Sequence, residues 1–225
     1  MVMWANLSKL NTIANASIAK VNTIANASIL AINGAPEDLT TFTETDPSGW
    51  VTVTSNQVSF AGMQRTPVTT VYKDYTASYF GNFVVNFETE ITASATDALA
   101  IVCAISNINN AGYGGLIGQD ACACWFDNSG GNLSAIIQQY NPNSTDSFSI
   151  GAAIHGHRYN TFMRSGTTLT WNIYTDPGRT TLEDSLTVTG TTTRYRYMNA
   201  LGNRGAAGTA AITGYTKNFV IISRG

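Results

Sequence analysis

From residue 37 to residue 225 the chain runs in short stretches of alternating apolar and polar residues. Gly, Asn, Asp or Pro interrupts them about every 8–12 residues. Nothing else in the sequence limits the fold so tightly. Alternation with period two gives a strand one buried face and one solvated face. Strand candidates lie at 50–54, 57–60, 69–73, 83–91, 98–105, 116–117, 121–126, 133–140, 148–154, 161–164, 168–174, 185–188, 194–199 and 215–222. The stretch 98–105 is almost continuously apolar and is expected to be covered on both faces. So many short strands without a long helix predict an all-β fold, with two antiparallel sheets stacked as a sandwich. A chain of 225 residues suffices for one such domain and an appendage.

The appendage is residues 1–35. Leu7, Ile18 and Ile29 occupy equivalent places in an 11-residue repeat, as do Leu10, Val21 and Ile32, and Asn11, Asn22 and Asn33. An 11-residue period fits three turns of helix in a right-handed supercoil. Asn, Thr, Ser, Ile and Val are middling helix formers, and an extended turn per repeat with Asn at each corner fits as well. Either form carries an apolar stripe that so short a segment cannot bury by itself. Leu7, Leu10, Ile18, Val21, Ile29 and Ile32 are therefore expected to anchor an oligomer, with a trimer favoured, or to dock on a neighbouring protein. Asn33-Gly34-Ala35-Pro36 marks the turn into the β domain at 37–225.

Charged residues make up only 12 % of the chain, about half the usual share. Thr, Ser, Asn and Gly supply the polar surface instead. The net charge of −2 comes with no run of Lys and Arg, so binding to nucleic acid is not expected. No stretch is apolar for long enough to span a membrane as a helix. The first residues lack the basic and apolar regions of a cleaved signal. A location on a virion or another extracellular face would then be reached by lysis or a specialised route.

Tyr79 to Phe83, Thr168 to Asp176, Arg194 to Met198 and Gly214 to Ile222, taken in that order, resemble the concanavalin A-like, laminin-G-like jelly rolls of phage and environmental proteins. Tyr79-Phe80-Gly81-Asn82-Phe83 leads into a long strand, as in their first inner strands. Thr168 to Asp176, with Arg179 to Leu182 and Asp184-Ser185-Leu186 behind it, is similar to their late hairpin. Arg194 to Met198, Gly214 to Ile222 and Glu44-Thr45-Asp46-Pro47 complete the order. Ser17 to Asn22 resembles the Ile-Ala-Lys-Val-Asn repeats placed before such domains, although Thr23 stands where that pattern has Gly. The resemblance implies a virion structural protein of the bacteriophage fibre or capsid-decoration type. It would display its jelly roll for attachment, with carbohydrate binding as one use.

Glu88 and Glu90 share a strand face, yet the Glu-x-Asp-x-x-Glu cluster of laminarinase-like enzymes of this fold is incomplete here. A glycosidase needs two carboxylates at a set separation, so a non-enzymatic protein is expected and a glycoside hydrolase is the alternative. A purely structural module without a ligand is a further reading. His155-Gly156-His157 lacks the partners of a metal site, and acid-poor loops do not suit calcium; no cofactor is expected. For a glycan, Tyr113, Trp125, Asp127, Asn128 and Tyr140 are the candidates, because they gather around the middle hairpins. Trp125 and Tyr140 read foremost as core or interface aromatics, with the glycan platform as the alternative. Cys103, Cys122 and Cys124 read foremost as small buried hydrophobes, with a long-range Cys103 bridge as the alternative.

Overall fold

The computed structural model describes residues 35–109, 112–151, 156–205 and 207–224. The repeat, including Leu7, Leu10, Ile18, Val21, Ile29 and Ile32, lies outside the described residues, as does His155.

Two seven-stranded antiparallel sheets form the structure, with strands numbered along the chain. The first holds, in spatial order, β1 (Thr43–Thr45), β4 (Thr70–Asp74), β13 (Tyr197–Gly202), β6 (Leu99–Ser106), β7 (Ala121–Ser129), β8 (Asn132–Tyr140) and β9 (Asn143–Gly151). The second holds β12 (Leu182–Thr189), β11 (Thr168–Tyr174), β10 (Arg158–Ser165), β5 (Phe83–Ser94), β14 (Ile212–Arg224), β3 (Gln57–Met63) and β2 (Val51–Val53). This is the two-sheet antiparallel sandwich that the alternation predicted, and it agrees with the jelly roll that the resemblance implied.

The pleat explains the core. Along β5, Phe83, Val85, Phe87 and Ile91 are buried, while Val84, Asn86, Glu88 and Glu90 between them are half-exposed. Leu169, Trp171 and Ile173 repeat the pattern on β11. Between the sheets the Phe126 ring of β7 meets the Trp171 ring of β11 edge-on at 5.5 Å. Phe87 and Phe219 stack at 5.2 Å. Trp171 also carries an indole N–H that must be satisfied once buried. It donates to Asn160 Oδ1 at 2.9 Å, and Asn160 Nδ2 donates to Thr89 Oγ1 at 3.1 Å.

A second apolar cluster covers the outer face of the first sheet. Leu99, Ile101, Ala104, Ala121, Ala123, Trp125 and Tyr140 lie there under Ile108, Tyr113 and Leu116 of the β6–β7 connection. That is why every residue of β6 is buried. It also sorts β7: Ala121, Ala123 and Trp125 face this cluster, whereas Cys122, Cys124 and Phe126 face the main core. The three cysteines are free thiols, fully buried as expected of small hydrophobes.

The connection corrects one expectation. Leu116-Ile117 is not a strand; Tyr113–Leu116 forms one helical turn, α1. Its backbone finds partners in a loop rather than a ladder: Tyr113 N–H donates to Asn203 O at 2.8 Å and Gly114 N–H to Arg204 O at 2.9 Å. A side chain at Gly112 would put its Cβ 2.8 Å from Asn203 O, so only glycine allows that approach. Strand β1 has no counterpart among the sequence candidates, because a three-residue exposed edge has no alternation to read. The strand expected at 148–154 starts earlier, at Asn143, since β9 is a polar edge strand; residues 152–154 lie outside the described residues.

Candidate functional site

The outer face of the second sheet gathers the polar side chains that the pleat turns away from the core. Cross-strand register places Tyr174, Tyr159, Glu88 and Lys217 in one row over β11, β10, β5 and β14. Glu90 and Tyr215 pair in the next row. All six are partly buried, with the Lys217 and Glu88 side chains 24 % and 16 % exposed. His157, just before β10, joins them: its ring stacks on Tyr159 at 4.5 Å and meets Tyr215 edge-on at 5.9 Å.

Each carboxylate is held in place. Glu88 Oε2 lies 2.7 Å from His157 Nε2 and 3.6 Å from Lys217 Nζ. Its Oε1 accepts from Asn218 Nδ2 at 2.8 Å. The Tyr215 hydroxyl donates to Glu90 Oε2 at 2.7 Å. Burial, and then that bond to a carboxylate, raise the Tyr215 phenol above its usual value. It is therefore a fixed donor at neutral pH. The Arg179 guanidinium sits 6.0 Å from the Tyr159 ring centre. A surface of partly exposed rings beside oriented acids and amides offers what a sugar presents in reverse: apolar C–H faces and ring hydroxyls.

The residues singled out from sequence divide into groups. Tyr113, Trp125 and Tyr140 do come together, on the other sheet: Tyr113 lies 4.7 Å from Trp125 and 5.9 Å from Tyr140 between ring centres. Trp125 and Tyr140 are only 6 % and 5 % exposed, beneath their own connection. The Trp125 Nε1 and Tyr140 hydroxyl have no hydrogen-bond partner there. Asp127 is half-buried on the same strand and accepts from Ser129 Oγ. Asn128 is buried and turned to the other face of β7, where its Nδ2 donates to Ser94 O and Oγ at 3.0 and 2.9 Å. It ties β7 to the end of β5. Glu88 and Glu90 lie on the half-exposed outer face, as the alternation implied. Among the described residues no three His, Cys, Asp or Glu are placed to hold a metal. No described helix is long and apolar enough to cross a membrane.

Sequence reasoning did not single out Tyr159, Tyr174, Tyr215 or Lys217. Their outward phase on β10, β11 and β14 was readable from alternation. Their adjacency was not, because it depends on the strand order.

No family model and no curated protein matches the chain. Solved structures do resemble it. A functionally unknown protein from Saccharomyces cerevisiae superposes with TM-score 0.58 at 9 % identity, over 84 % of this chain and 98 % of that one. The exoplasmic/lumenal domain of VIP36, bound to Ca2+ and Man3GlcNAc, gives 0.51 at 12 %, over 78 % and 81 %. An alginate lyase from Alteromonas sp. 272 gives 0.50 at 8 %, over 81 % and 93 %. These superpositions establish the lectin-like jelly-roll fold, and at identities this low they show the fold alone.

Proposed function

We propose that the chain is a carbohydrate-binding jelly-roll module, displayed by a virion structural protein and anchored through residues 1–35. The observation that carries the binding reading is the outer face of the second sheet. There the stacked Tyr159–His157 pair and Tyr215 stand half-exposed beside Glu88 and Glu90, whose hydrogen bonds already orient them. Preorganised polar groups lose little freedom when a sugar docks, and a ring supplies the platform for its C–H face. The VIP36 domain, solved with Man3GlcNAc, shares the fold. The virion placement rests on the repeat, the hydroxyl- and amide-rich surface and the sequence resemblance.

We read the module as a binding protein, not an enzyme. Glu88 is engaged by His157, Lys217 and Asn218, and Glu90 by Tyr215. The alternative, a polysaccharide-cleaving enzyme, has one observation in its favour: an acid, an imidazole and a phenol share this face.

A glycan array followed by titration of the strongest hit tests both. Tyr159→Ala should weaken binding about tenfold, an order typical of losing one well-placed aromatic contact. Tyr113→Ala should leave it unchanged. The opposite outcome would move the site to the Trp125 cluster on the first sheet. Release of new sugar ends on incubation with the bound glycan would favour the enzyme.

A further inference from the structure

Arg164, near the end of β10, is 3 % exposed, and no carboxylate among the described residues pairs with it. Its guanidinium donates instead to backbone carbonyls. Nη1 reaches Thr191 O at 3.4 Å and also Thr193 O, and Nη2 reaches Phe80 O at 3.2 Å. The rings of Phe83 and Tyr195 flank it, with centres 5.7 and 4.9 Å away. Nε is buried with no partner. A buried cation held only by neutral groups lacks the opposite charge that ordinarily compensates its lost hydration.

The same arginine lines a cleft of about 300 Å³, with Gly81, Asn82, Gly166, Thr192 and Arg194. The lining holds two guanidiniums, one amide, one hydroxyl and two glycines, and no acid. Arg194 is exposed, with its Nε tethered to Ser78 O at 2.8 Å. The Asn82 Oδ1 accepts from Gly166 N–H at 2.8 Å, which leaves the Asn82 Nδ2 as a further donor. Arg164 stands at the far end of β10 from Tyr159, so this cleft is separate from the aromatic face.

From this geometry we propose that the cleft binds the oxyanion group of an acidic ligand, a carboxylate or sulfate, between Arg164 and Arg194. Guanidinium forks match such groups in shape and charge. The proposal stands without the carbohydrate reading, because a free anion would satisfy it equally.

The test is calorimetric titration of the full chain at low ionic strength with three probes: sodium sulfate, a disaccharide containing glucuronic acid, and maltose. The expected result is saturable binding of the uronate and of sulfate, no binding of maltose, and a fall in affinity as sodium chloride is added. Sulfate binding without uronate binding would assign the cleft to a free anion and would still support it. Arg194→Ala, an exposed position, should weaken binding about tenfold. Arg164→Lys keeps the charge but not the fork and should weaken it further, provided its thermal melt matches that of the parent. Binding of neither anion, equal binding of maltose, or an unchanged affinity in Arg194→Ala would overturn the proposal.

Discussion

At the residue scale, a few exposed carboxylates make the fold sensitive to acid. The Arg196 side chain grips Asp74 with two bonds, Nε to Oδ1 at 2.8 Å and Nη2 to Oδ2 at 2.6 Å, and this lowers the Asp74 pKa. The backbone N–H of Thr181 bonds Asp176 and lowers its pKa, with help from Thr180. The Thr40 hydroxyl does the same for Asp38. A carboxyl whose folded pKa is depressed contributes stability above its unfolded value, near 3.8. That contribution is lost as pH falls through the folded value. The thermal midpoint should therefore drop progressively below about pH 4. Asp176→Asn should show a shallower drop over the same window, measured by circular dichroism at low salt. An identical acid profile in that variant would remove Asp176 from the explanation. The cysteine thiols play no part at these pH values, since burial pushes Cys122 up to about 12 and raises Cys103 and Cys124 as well.

At the element scale, the second sheet depends on how β14 lies against β5. The register slips at Gly214 on both sides, against β5 and against β3. A Cβ at Gly214 would collide with the Glu90 carbonyl oxygen. Because backbone cannot yield as a flexible side chain can, Gly214→Ala should cost about 1–3 kcal/mol in denaturant unfolding. It should also disturb the Tyr215–Glu90 bond one residue on. A variant with the parent's midpoint would show that the two strands part without cost. The alternation in β5, β11 and β14 was legible in the sequence, since period two is a local property. Other elements were not. Tyr113–Leu116 became a helical turn because Gly112 lets the chain approach Asn203, a contact that no local pattern records. Arg164 shares the buried phase of Phe162 on β10, but that its guanidinium would meet the carbonyls of Phe80, Thr191 and Thr193 there is a matter of distant segments.

For the whole molecule, the expected behaviour is an anchored head. The spacing of Leu7, Leu10, Ile18, Val21, Ile29 and Ile32 in the sequence leads us to expect an apolar stripe that needs a partner. We expect light scattering to report a trimer for the full chain and a monomer for residues 36–225. A monomeric full chain would end the oligomer reading and leave docking to another protein. The jelly roll suits such a head because its core lies between the sheets and leaves polar side chains partly exposed on the outer face of the second sheet.

By itself the sequence determined the all-β class, the stacking of two antiparallel sheets and the buried state of the cysteines. Each follows from side-chain chemistry and from the two-residue period of a single strand. Only the tertiary structure decided which faces are open. The β6–β7 connection folds over Trp125 and Tyr140 and closes the face that the aromatic clustering in sequence pointed to. The order β11-β10-β5-β14 instead brings Tyr174, Tyr159, Glu88, Glu90, Lys217 and Tyr215 together on the open one. Neighbours across a sheet are chosen by strand pairing between distant segments, and one strand's alternation carries no information about which other strand will lie beside it.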